Sequence, residues 1–303
     1  MEFTVGFFME AHRERTRVDV SPAPNSRERR DTALKAVVTT WPDLPKRDIR
    51  RVTGADCRGW AARALREGTG FIAPNAKSRR IGMSPSAFNK AVAALRAVFA
   101  IACEEGVIEA NPAARVAKAP ARRKWLDLPS PEQFREITQS IAGRRSKWSA
   151  ECADMVRLLA YSGLRLREGT RLRWSDVNLG KNQLAVAGTK SATSRRVIPL
   201  FPSLGTLLAE IRGRRGAERP EARILRVGSC RGALASACAA VGVPKMNHHA
   251  LRHLFATRCI ESGVDIPTVS RWLGHADGGT LAMKTYGHLR QEHSQAQAAK
   301  VHF

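Results

Sequence analysis

Tyrosine is nearly missing from this sequence: 303 residues contain two, Tyr161 and Tyr286, so chemistry that needs a phenol has two positions to choose from. Cysteine is sparse as well. Cys57, Cys103, Cys152, Cys230, Cys238 and Cys259 form no C-x-x-C pair and no Cys/His cluster at zinc spacing, which argues for reduced thiols over a disulfide framework or a zinc module. No uninterrupted apolar run reaches eighteen residues, and Glu2, Glu10 and Arg13 break up the segment where a signal peptide would be apolar. These absences lead us to expect a soluble, cytoplasmic chain. Acidic residues are outnumbered, with 27 Asp and Glu against 51 Lys and Arg, a net charge of +24 and a pI near 11.1. Such a surplus exceeds what solubility needs and suits a polyanion. A merely basic surface or an anionic membrane face is the alternative, but no polybasic segment adjoins an apolar anchor. Nucleic acid is the expected partner, with no membrane.

With 43% apolar residues the chain can bury two cores, and two domains suit its length. Residues 1–111 read as helices broken by turns. The clearest begins at Ser84-Pro85, an N-cap followed by proline at the first helical position, and carries a stripe of Val92, Leu95, Val98, Phe99 and Ala102 that closes near Gly106. Residues 112–127 hold Arg115, Lys118, Arg122, Arg123 and Lys124. This basic stretch reads either as a solvated charge run or as a strap joining two domains around a duplex. A second domain, 128–303, opens with Ser130-Pro131-Glu132-Gln133, a capping-box pattern. Helices dominate it apart from a small hairpin or sheet expected between Gln183 and Leu200, and the Ala/Gln-rich Gln295 to Lys300 extends a tail helix. The expected fold class is mainly α with a small β-sheet.

The second half contains, in order, the segment Gly163 to Glu168 with Arg165, then Lys190 on the hairpin, then His249-Ala250-Leu251-Arg252-His253, then Leu273-Gly274-His275, then Tyr286. Phosphoryl transfer passes through a centre whose non-bridging oxygens carry negative charge, so guanidinium forks at Arg165 and Arg252 suit it. A helix from Asn247 to Ile260 puts His249 and Arg252 on one face. His249 and His253, four apart, also suit zinc, but no H-E-x-x-H and no third ligand accompany them, and His253 reads as packing or support. Tyr161 follows Met155, Leu158 and Leu159 and reads as core, whereas Tyr286 stands in the polar Lys284 to His288.

These boxes, in this order, resemble the tyrosine recombinase (phage integrase) family over residues 128–290, and more loosely in the helical first part, which looks like that family's core-binding domain. The resemblance implies that Tyr286 attacks the scissile phosphate to leave a 3′-phosphotyrosyl link, with His249 as base, since a phenol with pKa near 10 needs activation. It implies that Lys190 protonates the departing 5′ oxygen, against the alternative of one more phosphate contact, a role Arg195 and Arg196 could also fill. It implies that His275 hydrogen-bonds the phosphate, against a helix-capping histidine, and that Glu168 orients Arg165, against an ordinary helical salt bridge. Asp277-Gly278-Gly279 makes the interval from His275 to Tyr286 two residues longer than in common family members. The scheme requires no metal and no nucleotide cofactor. The expected activity is site-specific recombination of double-stranded DNA by a homo-tetramer on paired sites, with accessory DNA-bending proteins as further partners, in a bacterial or phage-encoded, nucleoid-associated protein. Integration or excision of a mobile element is the leading reading. A chromosome-dimer resolvase, a type IB topoisomerase-like nicking-closing enzyme and a non-catalytic DNA-binding protein are the alternatives.

Overall fold

Side-chain caps and buried stripes set the helices of the first part of the chain. The computed structural model describes residues 3–18, 24–68, 81–120, 127–188 and 195–275, and the chain divides into two compact units, Met1–Lys124 and Trp125–Phe303. In the first unit, α1 (Val5–Val18), α2 (Pro24–Thr40) and α3 (Gly54–Arg66) surround α4 (Pro85–Glu104). Thr53 and Asp56 close a capping box on α3, and the Ser84 hydroxyl accepts the Ala87 N–H at 3.2 Å to start α4. Val92, Leu95, Val98, Phe99 and Ala102 are all buried, as the stripe predicts. By length and composition α4 could cross a membrane, yet here its apolar stripe is the core of the unit. Trp41, Trp60 and Phe88 stack at centroid separations of 6.0 and 5.9 Å, and the Trp60 indole donates to the Thr40 hydroxyl at 3.0 Å, so the buried N–H is paired.

The start of the basic stretch is fastened to α4. Asn89 brackets the Ala119 peptide with bonds of 2.8 and 2.9 Å, Arg96 donates to the carbonyls of Ala113, Ala114 and Val116, and Ala113 and Val116 are buried. Arg115 and Lys118 remain exposed. Arg122, Arg123 and Lys124 lie outside the described residues, and the division between the units falls at Lys124.

The second unit is helical with one small sheet. Its elements are α5 (Pro131–Ala142), α6 (Ser149–Ser162), α7 (Leu166–Gly169), β1 (Val177–Asn178), β2 (Gln183–Val186), β3 (Arg196–Pro199), α8 (Pro202–Arg215), α9 (Arg231–Val241), α10 (His248–Glu261) and α11 (Ile266–Leu273). The Ser130–Gln133 capping box forms as its sequence pattern predicts. The sheet runs β1-β2-β3, all antiparallel, with Val186 opposite Arg196. Leu184, Val186 and Ile198 turn inward onto the main core, while Val197 faces outward. The central α6 packs on α5, α8 and α10, and α11 packs on α10 and β3. Arg165, just before α7, reaches the Gly274 carbonyl, just after α11, so these two helix ends adjoin.

Candidate active site

The site is assembled where three helix ends meet. Gly163 closes α6 in the left-handed region (φ 65°, ψ 14°), and the chain leaves it through buried Leu164 to Arg165, the N-cap of α7. Glycine is strongly favoured at 163, because a Cβ there would lie 2.4 Å from Phe255 Cδ1 and would force that ring to shift. At α11 the C-terminus forms a Schellman turn: Gly274 (φ 66°) donates to the Arg271 carbonyl at 3.0 Å and His275 to the Ser270 carbonyl at 3.1 Å. The Leu-Gly-His box is therefore a helix stop that fixes the His275 backbone.

A helix end leaves its last carbonyls without partners and carries partial negative charge, both of which attract cations. Here three arginines answer. Arg196 Nε donates to the Trp272 carbonyl at 2.6 Å, Arg252 Nη2 to the Leu273 carbonyl at 2.6 Å, and Arg165 Nη2 reaches the Gly274 carbonyl at 3.4 Å. Arg252, 3% exposed, also donates from Nη1 to the Gly163 carbonyl at 2.9 Å, so one guanidinium joins the ends of α6 and α11. Arg165 keeps a side chain 36% exposed.

Glu168 lies beneath this cluster with its side chain fully buried. Its carboxylate accepts from Arg165 Nη1 at 2.9 Å, from the Arg165 backbone N–H at 2.9 Å, and from Arg196 Nη1 and Nη2 at 3.2 and 2.9 Å. Burial pushes this carboxyl up, but the Arg196 fork and the Arg165 groups outweigh it and hold it below the ordinary carboxylate range. The cluster thus gathers three guanidiniums around the end of α11 with one carboxylate, bonded to Arg165 and Arg196, and the surplus positive charge suits a phosphate.

The histidines border the arginines. Asn247 caps α10 by accepting the His249 and Ala250 N–H groups at 2.9 Å, so the helix starts at His248, one residue after the expected start. His249 is exposed, and its ring meets His253 edge-to-face at 4.5 Å. Partial desolvation of the ring, then the charges of Arg252 and Arg165, hold His249 below its ordinary pKa, and the positive end of α10 acts the same way. His253 falls to about 4 through burial and then through His249, Arg252 and His275. Both rings are neutral at pH 7 and able to accept a proton.

The structure thus brings together Arg165, Glu168, His249, Arg252, His253 and His275, whereas Lys190 and Tyr286 lie outside the described residues. Tyr161 is half-buried, edge-to-face with Phe134 at 6.0 Å, and burial raises its pKa, so it is a packing phenol. One sequence-based option is corrected. Arg196 does not extend toward a DNA backbone: its side chain is 6% exposed and three of its nitrogens bond within the protein, while Arg195 is exposed. Its partners Glu168 and Trp272 lie 28 and 76 residues away, so no local pattern signals the role. Among the described residues, no three His, Cys, Asp or Glu side chains gather as a metal site.

A family model described as the phage integrase family matches residues 130–293, more than half of the chain. The chain belongs to that family. The tyrosine recombinase XerD of Lacticaseibacillus casei is 28% identical to it over 251 residues, covering 78% of this chain and 83% of the relative. In fold it is similar to the Tn1549 transposon integrase in complex with a circular intermediate DNA, with 19% identity and a TM-score of 0.74 across 99% of this chain and 100% of that one. It is also similar to a lambda integrase tetramer bound to a Holliday junction, with 20% identity and a TM-score of 0.69 across 93% of this chain and 77% of that one. The protein is a site-specific tyrosine recombinase, mostly helical with a small three-stranded sheet.

Proposed function

We propose that this tyrosine recombinase cuts and rejoins duplex DNA through a 3′-phosphotyrosyl link formed by Tyr286, and that it does so to integrate or excise a mobile element. The observation that carries the chemistry is the convergence of Arg165 and Arg252 on the end of α11, with His249 and His275 beside them. In this reading the two guanidiniums bind the non-bridging oxygens of the scissile phosphate, and their charge offsets what builds up during attack. The Tyr286 hydroxyl gives its proton to neutral His249 and its oxygen bonds to phosphorus. The bond to the 5′ oxygen breaks, and Lys190 supplies the proton that oxygen needs. The phosphodiester's energy is kept in the tyrosyl ester, so an incoming 5′ hydroxyl reverses the steps and no metal enters the scheme. His275 donates a further hydrogen bond to the phosphate.

The mobile-element role is supported by the likeness in fold to a transposon integrase and a phage integrase over nearly the whole chain. A homo-tetramer on two duplexes is the assembly we assign, by analogy with the lambda integrase tetramer on its junction. Chromosome-dimer resolution is the second reading, favoured by the XerD relative. A supercoiled plasmid carrying the DNA that flanks the gene tests the proposal, with Mg²⁺ chelated. Recombined circles, deletions or inversions between flanking repeats are expected. Relaxed topoisomers alone would overturn site-specific strand exchange in favour of nicking and closing, and exchange only at paired chromosomal sites would favour the second reading.

A further inference from the structure

Arg196 is the least expected member of the site. It leaves the first position of β3, opposite Val186, and crosses to α11, where its Nε holds the Trp272 carbonyl at 2.6 Å. The passage exists because residue 274 is glycine: a Cβ there would stand 2.9 Å from Arg196 Nη1 and 3.2 Å from its Cδ and Cζ. The fork then grips both oxygens of Glu168 at 3.2 and 2.9 Å. Glu168 is shared by two arginines that differ sharply in exposure, Arg196 at 6% and Arg165 at 36%.

We propose that Arg196 is a positioning residue for strand transfer: it takes up the charge of buried Glu168, so that Arg165 keeps a net positive charge for the scissile phosphate. This rests on the strand-transfer reading above. A buried carboxylate must be compensated, and with Arg165 as its one cation the pair is neutral and holds the guanidinium inward. With Arg196 as the inner counter-ion, Glu168 instead anchors Arg165 through one Nη1 bond and the backbone N–H, which fixes its direction and leaves its outer edge to the ligand. Arg196 also ties the start of β3, which follows Lys190 in sequence, to the end of α11, which precedes Tyr286 in sequence. Lysine at 196 keeps the charge and loses the fork. Methionine loses both and leaves Glu168 to Arg165.

The test uses the full-length protein and a duplex spanning the phosphate at which the wild type becomes covalently attached, mapped by sequencing the DNA in trapped adducts. Two versions are compared in single turnover, one with the natural phosphate and one with an uncharged methylphosphonate at the cleavage position. On the natural phosphate Arg196→Met is expected to cleave about 100-fold more slowly than wild type, the size of loss that follows when a catalytic group is displaced by about 1 Å. On the methylphosphonate, where Arg165 has no charge to offset, the deficit shrinks to within about tenfold. Adding Glu168→Gln to Arg196→Met restores part of the natural-phosphate rate, and Arg196→Lys falls between wild type and Met. If Arg196→Met does not fold, the likewise uncharged Arg196→Gln on the two substrates carries the same comparison. Equal loss on both substrates, no rescue by Glu168→Gln, or wild-type rates in Arg196→Met would overturn the proposal. Failure of the wild type to form any adduct would overturn the strand-transfer reading, and the assignment with it.

Discussion

Replacing Gly163 with alanine tests how the arginines of the proposed site are held. The backbone at 163 has φ 65°, where an L-residue pays about 1–2 kcal/mol. The new Cβ would meet Phe255 at 2.4 Å from Cδ1 and 2.9 Å from Cγ and Cε1, and Phe255 is itself wedged edge-to-face on Phe201 at 5.3 Å. Overpacking of that kind costs about 1–3 kcal/mol. The total for Gly163→Ala is about 2–5 kcal/mol by those two contributions. Gly242→Ala is the control in the same unit: its φ is 77°, and nothing lies within 4 Å of the added Cβ. It bears the backbone cost alone, about 1–2 kcal/mol. Urea midpoints at unchanged slope report the difference, and because the Gly163 carbonyl holds Arg252, DNA cleavage should fall with stability in the first variant and not in the control. Equal midpoints would refute the packing argument, and wild-type cleavage by Gly163→Ala would refute the link from the α6 end to Arg252.

Arg252→Lys cannot serve both the Gly163 and Leu273 carbonyls, so one buried acceptor loses its partner at about 1–3 kcal/mol, and single-turnover cleavage should drop by about 10²–10³ when a planar donor to the phosphate is lost. Tyr161→Phe should leave adduct yield unchanged and change the unfolding free energy by less than about 0.5 kcal/mol in urea titrations, since the ring contact with Phe134 is kept. His249 is held below 6.5, so it remains an unprotonated base at neutral pH, and the acid limb of cleavage should lie below pH 6.5. His253 is held near 4 in the folded protein against 6.5 when unfolded. Its contribution to stability is complete above pH 6.5 and is lost as pH falls toward 4, with a slope of up to about 1.4 kcal/mol per pH unit. Urea titrations across that window should show His253→Gln with a shallower fall.

Much of this site was legible because its sequence boxes are also helix punctuation. Gly163 ends α6, Asn247 starts α10 and Gly274 ends α11, so the residues that mark the chemistry also mark turns that local rules detect. The Ser84 and Ser130 caps and the Val92 to Ala102 stripe were readable for the same local reason. What stayed hidden depends on distant pairing. That Arg252 would be buried with two carbonyls, one of them 89 residues away, follows from how α6, α10 and α11 pack and not from the spacing of His249 and Arg252. Arg196 is one of two adjacent arginines, and only the β3 register sends it inward and Arg195 outward. The two-residue strand β1 was too short for any alternation to show. Fastening of residues 111–119 onto α4 was hidden because it uses two polar α4 side chains, Asn89 and Arg96, while the charges of the fastened segment suggested a solvated run or an interdomain strap.

The central claim is that Tyr286 carries the covalent bond to DNA, and identifying the modified peptide measures it directly. Adducts formed on plasmid DNA, denatured in detergent and digested with nuclease and trypsin, should leave a nucleotide on the peptide Thr285–Arg290, and Tyr286→Phe should leave no adduct. A nucleotide on Leu158–Arg165, the peptide that holds Tyr161, or a persistent adduct in Tyr286→Phe would contradict the account.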